Sequence, residues 1–198
     1  GTADDDRLVG NEGANALIGN AGNDTLWGGA GADRLGGRAG DDRIFGEDGD
    51  DIAYGGDGND TLDGGAGRDN LNGENGNDTL LGGADTATDV LRGGSGDDWL
   101  DGGPGYDVMH GGLGNDTFIA SQANDAVVER AGQGWDRVIA QGSGAFTLAA
   151  EVEELILDGA TSGIGNAASN RITGSARFET LFGRDGHDTL VGGGGNDI

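Results

Sequence analysis

The chain contains no cysteine and no lysine. Without cysteine there are no disulfide staples and no thiolate metal sites. No run of about 18 apolar residues occurs, so no segment reads as a membrane span. No basic-plus-apolar leader opens the sequence either. Positive charge is scarce: 11 arginines face 36 Asp and Glu, giving a formal net charge of -25. That balance repels phosphates, excludes nucleic acid as a partner and points to cations. Apolar residues are few and evenly spread. A thin, elongated core stacked unit by unit is therefore expected rather than one large core.

Glycine and aspartate fill the space, with 46 Gly and 28 Asp in 198 residues. Glycine disfavours helix interiors, which argues against a helical bundle. Acidic, weakly hydrophobic chains are often disordered, but disorder gives no reason for an aliphatic residue at every ninth position. From Gly19 the sequence runs GNAGNDTLW, GGAGADRLG, GRAGDDRIF, GEDGDDIAY, GGDGNDTLD, GGAGRDNLN, GENGNDTLL. Gly stands first and fourth, Asp sixth, and usually an aliphatic residue eighth. This nonapeptide reads as an all-β parallel β-roll, a right-handed β-solenoid that binds Ca2+.

Thirteen consecutive units span residues 1–119. The tenth, Gly82 to Arg92, carries two extra residues expected to bulge out. The first has Asp4 in place of its second glycine, and the second has Asn15 in place of Asp. Residues 120–164 break the period and form an irregular β-rich insert or cap. Their β-prone runs are Ala126–Val128, Arg137–Ile139, Phe146–Leu148 and Leu155–Leu157. Repeats resume over residues 165–198, with Asn170 and Glu179 at the sixth position of two weak units. The sequence opens in phase at Gly1 and stops within a unit at Ile198, so a segment of a longer chain is expected.

The first six positions read as a turn and the last three as a short strand. Alternation along the strand points position eight inward and positions seven and nine outward. The inward column is Leu8, Leu17, Leu26, Leu35, Ile44, Ala53, Leu62, Leu71, Leu80, Leu91, Leu100, Met109 and Phe118. Two units make one circuit, so each unit stacks on the one 18 residues later, and two parallel sheets result with turns along both edges.

Calcium takes six to eight oxygen ligands at roughly 2.3–2.6 Å in irregular geometry. One turn cannot supply that many, but two stacked turns can. The candidate ligands are Asp24, Asp33, Asp42, Asp51, Asp60, Asp69, Asp78, Asp89, Asp98, Asp107 and Asp116, with Asp188 and Asp197 in the resumed repeats. A lone Asp after Gly is usually a turn residue bonding its own backbone, but here the position recurs too faithfully for that. Magnesium demands tighter octahedral geometry, and transition metals favour His or Cys, which the turns lack. Of the eleven slots between same-edge turns, about eight are expected to fill. Without the ion, stacked carboxylates about 5 Å apart repel, and a glycine-rich chain loses much entropy on folding. A disordered apo chain and a folded holo chain are expected.

No catalytic constellation is present: HExxH, GxSxG and the P-loop are all missing. His110 and His187 read as solvated surface residues, and Glu151, Glu153 and Glu154 as the charged outer face of a strand. Val9, Trp27 and Phe45 fall at outward positions on consecutive rungs. They form a candidate contact for a preceding domain, a second copy or a glycan, against simple cross-strand stacking.

Units such as GGDGNDTLD, GGAGRDNLN and GGSGDDWLD closely resemble the RTX (repeats-in-toxin, haemolysin-type calcium-binding) family. The stretch GNDTFIA, AVVERAGQGWDRVIA, FTLAAEVEELILDG is similar to segments that often follow such blocks. The resemblance implies type I secretion from a Gram-negative bacterium, export unfolded, and folding in millimolar external calcium. It implies an extracellular, non-enzymatic structural module. Two rival roles stay open: a surface-layer or fibre-forming segment, and an accessory to a polysaccharide-acting enzyme, protease, lipase or toxin whose catalytic domain lies elsewhere.

Overall fold

The computed structural model describes residues 1–198 and is built of strands without helices. The repeat block forms β1 (Arg7–Asn11), β2 (Ala16–Ala21), β3 (Thr25–Ala30), β4 (Arg34–Ala39), β5 (Arg43–Asp48), β6 (Ile52–Asp57) and β7 (Thr61–Ala66). It continues with β8 (Asn70–Asn75), β9 (Thr79–Gly83), β10 (Val90–Ser95), β11 (Trp99–Asp101), β12 (Val108–Leu113) and β13 (Thr117–Ala120). Next come β14 (Ala126–Val128), β15 (Arg137–Ala140), β16 (Ala145–Thr147), β17 (Glu154–Leu157) and β18 (Ser162–Ile164). Three short strands follow: β19 (Arg171–Thr173), β20 (Thr180–Phe182) and β21 (Thr189–Val191).

All odd strands pair in one parallel sheet of eleven. The even strands β2 to β14 form a second sheet of seven, and β16, β18 and β20 a third. This is an all-β parallel β-roll, a solenoid whose circuit is one odd and one even strand. Leu8 pairs with Leu26 and Leu26 with Ile44, 18 residues apart. At the bulged unit Leu71 pairs with Leu91, 20 apart, so the two extra residues are absorbed without a slip in register. A one-residue slip would turn the whole aliphatic column outward, and that penalty holds the register.

The inward column is the core. Leu26 through Phe118 are buried at every rung, Ala53 included, and Leu8 and Leu17 pack against them at the open end. Strands are longer than the sequence suggests, however. They cover positions seven to nine and continue into positions one to three of the next unit, as in Thr25–Ala30. The turn is only positions four to six. The reason is stacking: residues 18 apart share a conformation, so interstrand hydrogen bonds persist even where the second position is left-handed, as at Gly29 (φ 104°) and Glu47 (φ 75°). At the fourth position the left-handed backbone carries a steric demand as well. The carbonyl oxygen of Gly22 occupies the place a Cβ of Gly40 (φ 124°) would need.

Residues 120–164 lie in rungs of the same solenoid. β15 pairs with β13 at a spacing of 20 residues, and β17 with β15 at a spacing of 17. The second sheet ends at β14, and β16 starts the third. Here the core gains bulk from Phe146, Leu148, Val152, Leu155 and Leu157. Val9 pairs with Trp27 and Trp27 with Phe45, as the outward register requires. The two rings stack with centroids 5.6 Å apart, and the Arg7 guanidinium lies 4.1 Å over Trp27.

Candidate metal centre

The sixth-position aspartates form two columns, one on each edge. Asp24, Asp42, Asp60, Asp78, Asp98, Asp116 and Asp188 lead into the odd-stranded sheet. Asp33, Asp51, Asp69, Asp89, Asp107 and Asp197 lie on the opposite edge. All those of the repeat block are buried, at 0–3% exposure. Asp188 and Asp197 are half-buried and face no further turn within residues 1–198.

Each carboxylate is split in its duties. One oxygen accepts a hydrogen bond from the backbone N–H of the aspartate one rung earlier. The Asp24, Asp42, Asp60 and Asp78 amides donate to Oδ1 of Asp42, Asp60, Asp78 and Asp98 at 2.7–2.8 Å. The Asp33, Asp51, Asp69 and Asp89 amides do the same on the other edge at 2.7–2.9 Å. In all of the repeat-block carboxylates but Asp89 the second oxygen has no partner at all. Oδ2 of Asp24, Asp33, Asp42, Asp51, Asp60, Asp69, Asp78, Asp98, Asp107 and Asp116 is buried and unbonded. A native fold rarely leaves such atoms orphaned, because each loses hydration without compensation.

The orphaned oxygens are aimed at one kind of place. Oδ2 fills the volume where the first glycine of its unit would carry a Cβ. The carbonyl of the first glycine one rung on points into the same volume. The oxygens of Gly37, Gly46, Gly73, Gly82 and Gly93 lie 2.7–2.9 Å from the ideal Cβ positions of Gly19, Gly28, Gly55, Gly64 and Gly73. The first glycine is thus needed for space rather than for backbone freedom. Each cradle joins a carboxylate and a carbonyl from adjacent rungs. No three His, Cys, Asp or Glu side chains converge on one point, so a cation here must draw on backbone carbonyls as well. Oxygen-only donors of this kind suit calcium.

Burial also loads the columns with electrostatic strain. Desolvation pushes Asp42, Asp78, Asp107 and Asp116 up to about 6, and Asp60 and Asp69 to about 7. Asp98 reaches about 8, with Asp116 and Asp78 adding repulsion. Backbone N–H donors oppose the rise in every case, but less strongly than desolvation raises it. A divalent cation relieves both the desolvation and the repulsion.

Several groups escaped the sequence reading. Asp6 heads the first column, its amide donating to Asp24 Oδ1 at 2.7 Å. Asp125, Asp136 and Glu153 extend the columns into the irregular segment. They accept from the amides of Asp107, Asp116 and Asp136 at 3.3, 2.9 and 2.8 Å. The fifth position carries its own ladder, running the opposite way: the amides of Asp41, Asn59 and Asn77 donate to Oδ1 of Asn23, Asp41 and Asn59. The recurrence of Asn or Asp at that position was the available signal. Glu154 is a paired strand residue, 7% exposed, bonded to Arg137 Nε at 2.6 Å and Arg171 Nε at 3.2 Å. His187 is exposed, and His110 is half-buried beside Arg92 and Arg130; its burial and those charges hold its basicity down.

This geometry defines a class: a calcium-binding parallel β-roll. The RTX calcium-binding nonapeptide repeat family matches residues 1–35, 31–62, 54–88, 84–118 and 164–198. Those segments cover more than half of the chain, and the chain belongs to this family. No curated protein matches it.

Proposed function

We propose that this chain is a calcium-driven folding module of a secreted RTX protein, with Asp24, Asp33, Asp42, Asp51, Asp60, Asp69, Asp78, Asp89, Asp98, Asp107 and Asp116 as carboxylate ligands. The same role is carried over to Asp188 and Asp197, whose Oδ2 atoms lie beside Gly183 and Gly192 at the first position of their units. The observation that carries this reading is the row of buried, unpartnered Oδ2 atoms facing glycine carbonyls. The module leaves a Gram-negative cell unfolded, where calcium is scarce, and folds outside, where it is abundant. It acts as folding driver and spacer and performs no catalysis. In keeping with this, no helix is long and apolar enough to cross a membrane.

Each filled site adds RT ln(1+[L]/Kd), about 2.7 kcal/mol at a hundredfold excess of ion. Several sites together outweigh repulsion and chain entropy. Far-UV circular dichroism during a calcium titration, with magnesium as control, tests the reading. A cooperative rise in β signal with calcium alone supports it; a chain folded without calcium defeats it.

A second reading concerns the outer face. Val9 is 62% exposed at the end of the Val9–Trp27–Phe45 ladder, leaving an apolar step for a neighbouring domain or a second copy. Sedimentation of a Trp27→Thr, Phe45→Thr variant against the parent tests it: equal association states contradict the contact.

A further inference from the structure

Position one is glycine in all thirteen units of the repeat block. The next even-strand rung breaks this rule. Val127 and Val128 pair with Met109 and His110, which sets Glu129 opposite Gly111, at position one. Its side chain folds back into the column. Glu129 Oε1 accepts the Gly111 N–H at 2.8 Å. It occupies, together with Asp116 Oδ2, the volume beside Gly111 that elsewhere holds one carboxylate and one carbonyl. Asp116 is 1% exposed, and its Oδ2 is unpartnered; Glu129 Oε2 is likewise buried and unpartnered. Two carboxylates thus face one cradle, with Asp136 on the next rung receiving the Asp116 amide. Nothing among the neighbouring side chains neutralises them: the ion pairs of the chain all lie elsewhere.

We propose that Glu129 and Asp116 form a doubly carboxylated cation site that ends the repeat columns and binds calcium more tightly than the single-carboxylate cradles before it. This rests on the calcium reading of the columns. Ligand charge count sets calcium affinity in oxygen sites, so the extra carboxylate makes this the first slot to fill as calcium rises. The rung it pins joins the repeat block to the irregular segment. Folding of the block therefore starts from this junction.

Trp135 adjoins Asp136, and its amide donates to Asn115 Oδ1 at 3.0 Å, next to Asp116. It is a built-in antenna for terbium. The test uses the full chain with Trp27→Phe and Trp99→Phe, excited at the red edge where tryptophan absorbs and tyrosine does not, so that Trp135 alone sensitises terbium chloride, with and without Glu129→Gln. Glutamine keeps an oxygen for the Gly111 amide, so the fold is retained; circular dichroism at saturating calcium checks this. The expected result is a loss of most sensitised emission. Equilibrium dialysis at low calcium counts one ion fewer, and the calcium needed to fill the slot rises about tenfold. Unchanged emission and ion count overturn the proposal and leave the two carboxylates sharing a proton. A parent chain that binds no calcium overturns the calcium reading itself, which the variant comparison alone does not touch.

Discussion

Two stretches of one solenoid close their turns by different means. In residues 19–119, every full rung leaves carboxylate oxygens buried and unpartnered, facing carbonyls. In residues 137–172, no buried side-chain oxygen or nitrogen lacks a partner. There Asn166 Nδ2 donates to the carbonyls of Ala149 and Val152 at 2.6 and 2.8 Å, and Asn170 Nδ2 to Val152 at 3.1 Å. Glu154 sits between two arginines rather than in a turn. The core is also heavier, with Phe146, Leu148 and Val152 added to the strand column. An amide that carries its own donors replaces an ion. In the repeat block the buried sixth-position side chains are carboxylates, which bring acceptors and no donor to the turn.

The largest effect expected is that of chelation. Removing calcium exposes both columns to their own repulsion, and small-angle scattering should show the chain expand to the dimensions of an unfolded one. A chain that stays compact would erase the difference between the two stretches.

Next in size is removal of two neighbouring carboxylates. Asp60→Ala with Asp78→Ala weakens two stacked slots, and each slot contributes about 2.7 kcal/mol at a hundredfold excess of ion. Thermal melts in calcium should fall accordingly, while the calcium-free circular dichroism of the variant should match that of the parent.

Acid sharpens the contrast through its sign. Asp42 and Asp98 have folded values above their unfolded ones, at about 6 and about 8. Without calcium, the stability they contribute is fully present below about pH 4 and is lost as pH rises through 6 to 8. With calcium the protons compete with the ion, so the calcium midpoint of folding should rise as pH falls from 8 to 6. A midpoint independent of pH would mean that the carboxylates do not bind the ion.

A smaller effect belongs to the other stretch. Asn166→Ala strands the Ala149 carbonyl and leaves the Val152 carbonyl only its bond from Asn170, a loss of about 1–3 kcal/mol. The melt should shift by the same amount at any saturating calcium concentration. Smallest is Trp27→Thr, which removes a stacked pair worth about 0.5–1.5 kcal/mol without changing calcium affinity.

Much of this was readable from the period. A nine-residue repeat with one inward aliphatic residue specifies two sheets, and Leu71 and Leu91 keep register across the insertion because burial enforces it. The sixth-position aspartates were visible for the same reason. Strand length was less legible: the left-handed second position looks like a turn residue, yet stacking keeps it in the ladder. Asp125, Asp136 and Glu153 were hidden because rungs of 20 and 17 residues break the spacing that marks their neighbours. Glu129 was hidden because its register follows from strand pairing alone. The roles of Asn166 and Asn170 depend on a backbone path that no repeat announces.

The most direct test is hydrogen exchange resolved along the chain while calcium is lowered stepwise. Amides of residues 24–98 should lose protection first, before those at the Asp116–Glu129 junction and at calcium concentrations where residues 137–172 still resist exchange. Protection of residues 24–118 in the absence of calcium would contradict the account, since it would show that the turns of the block are satisfied without an ion.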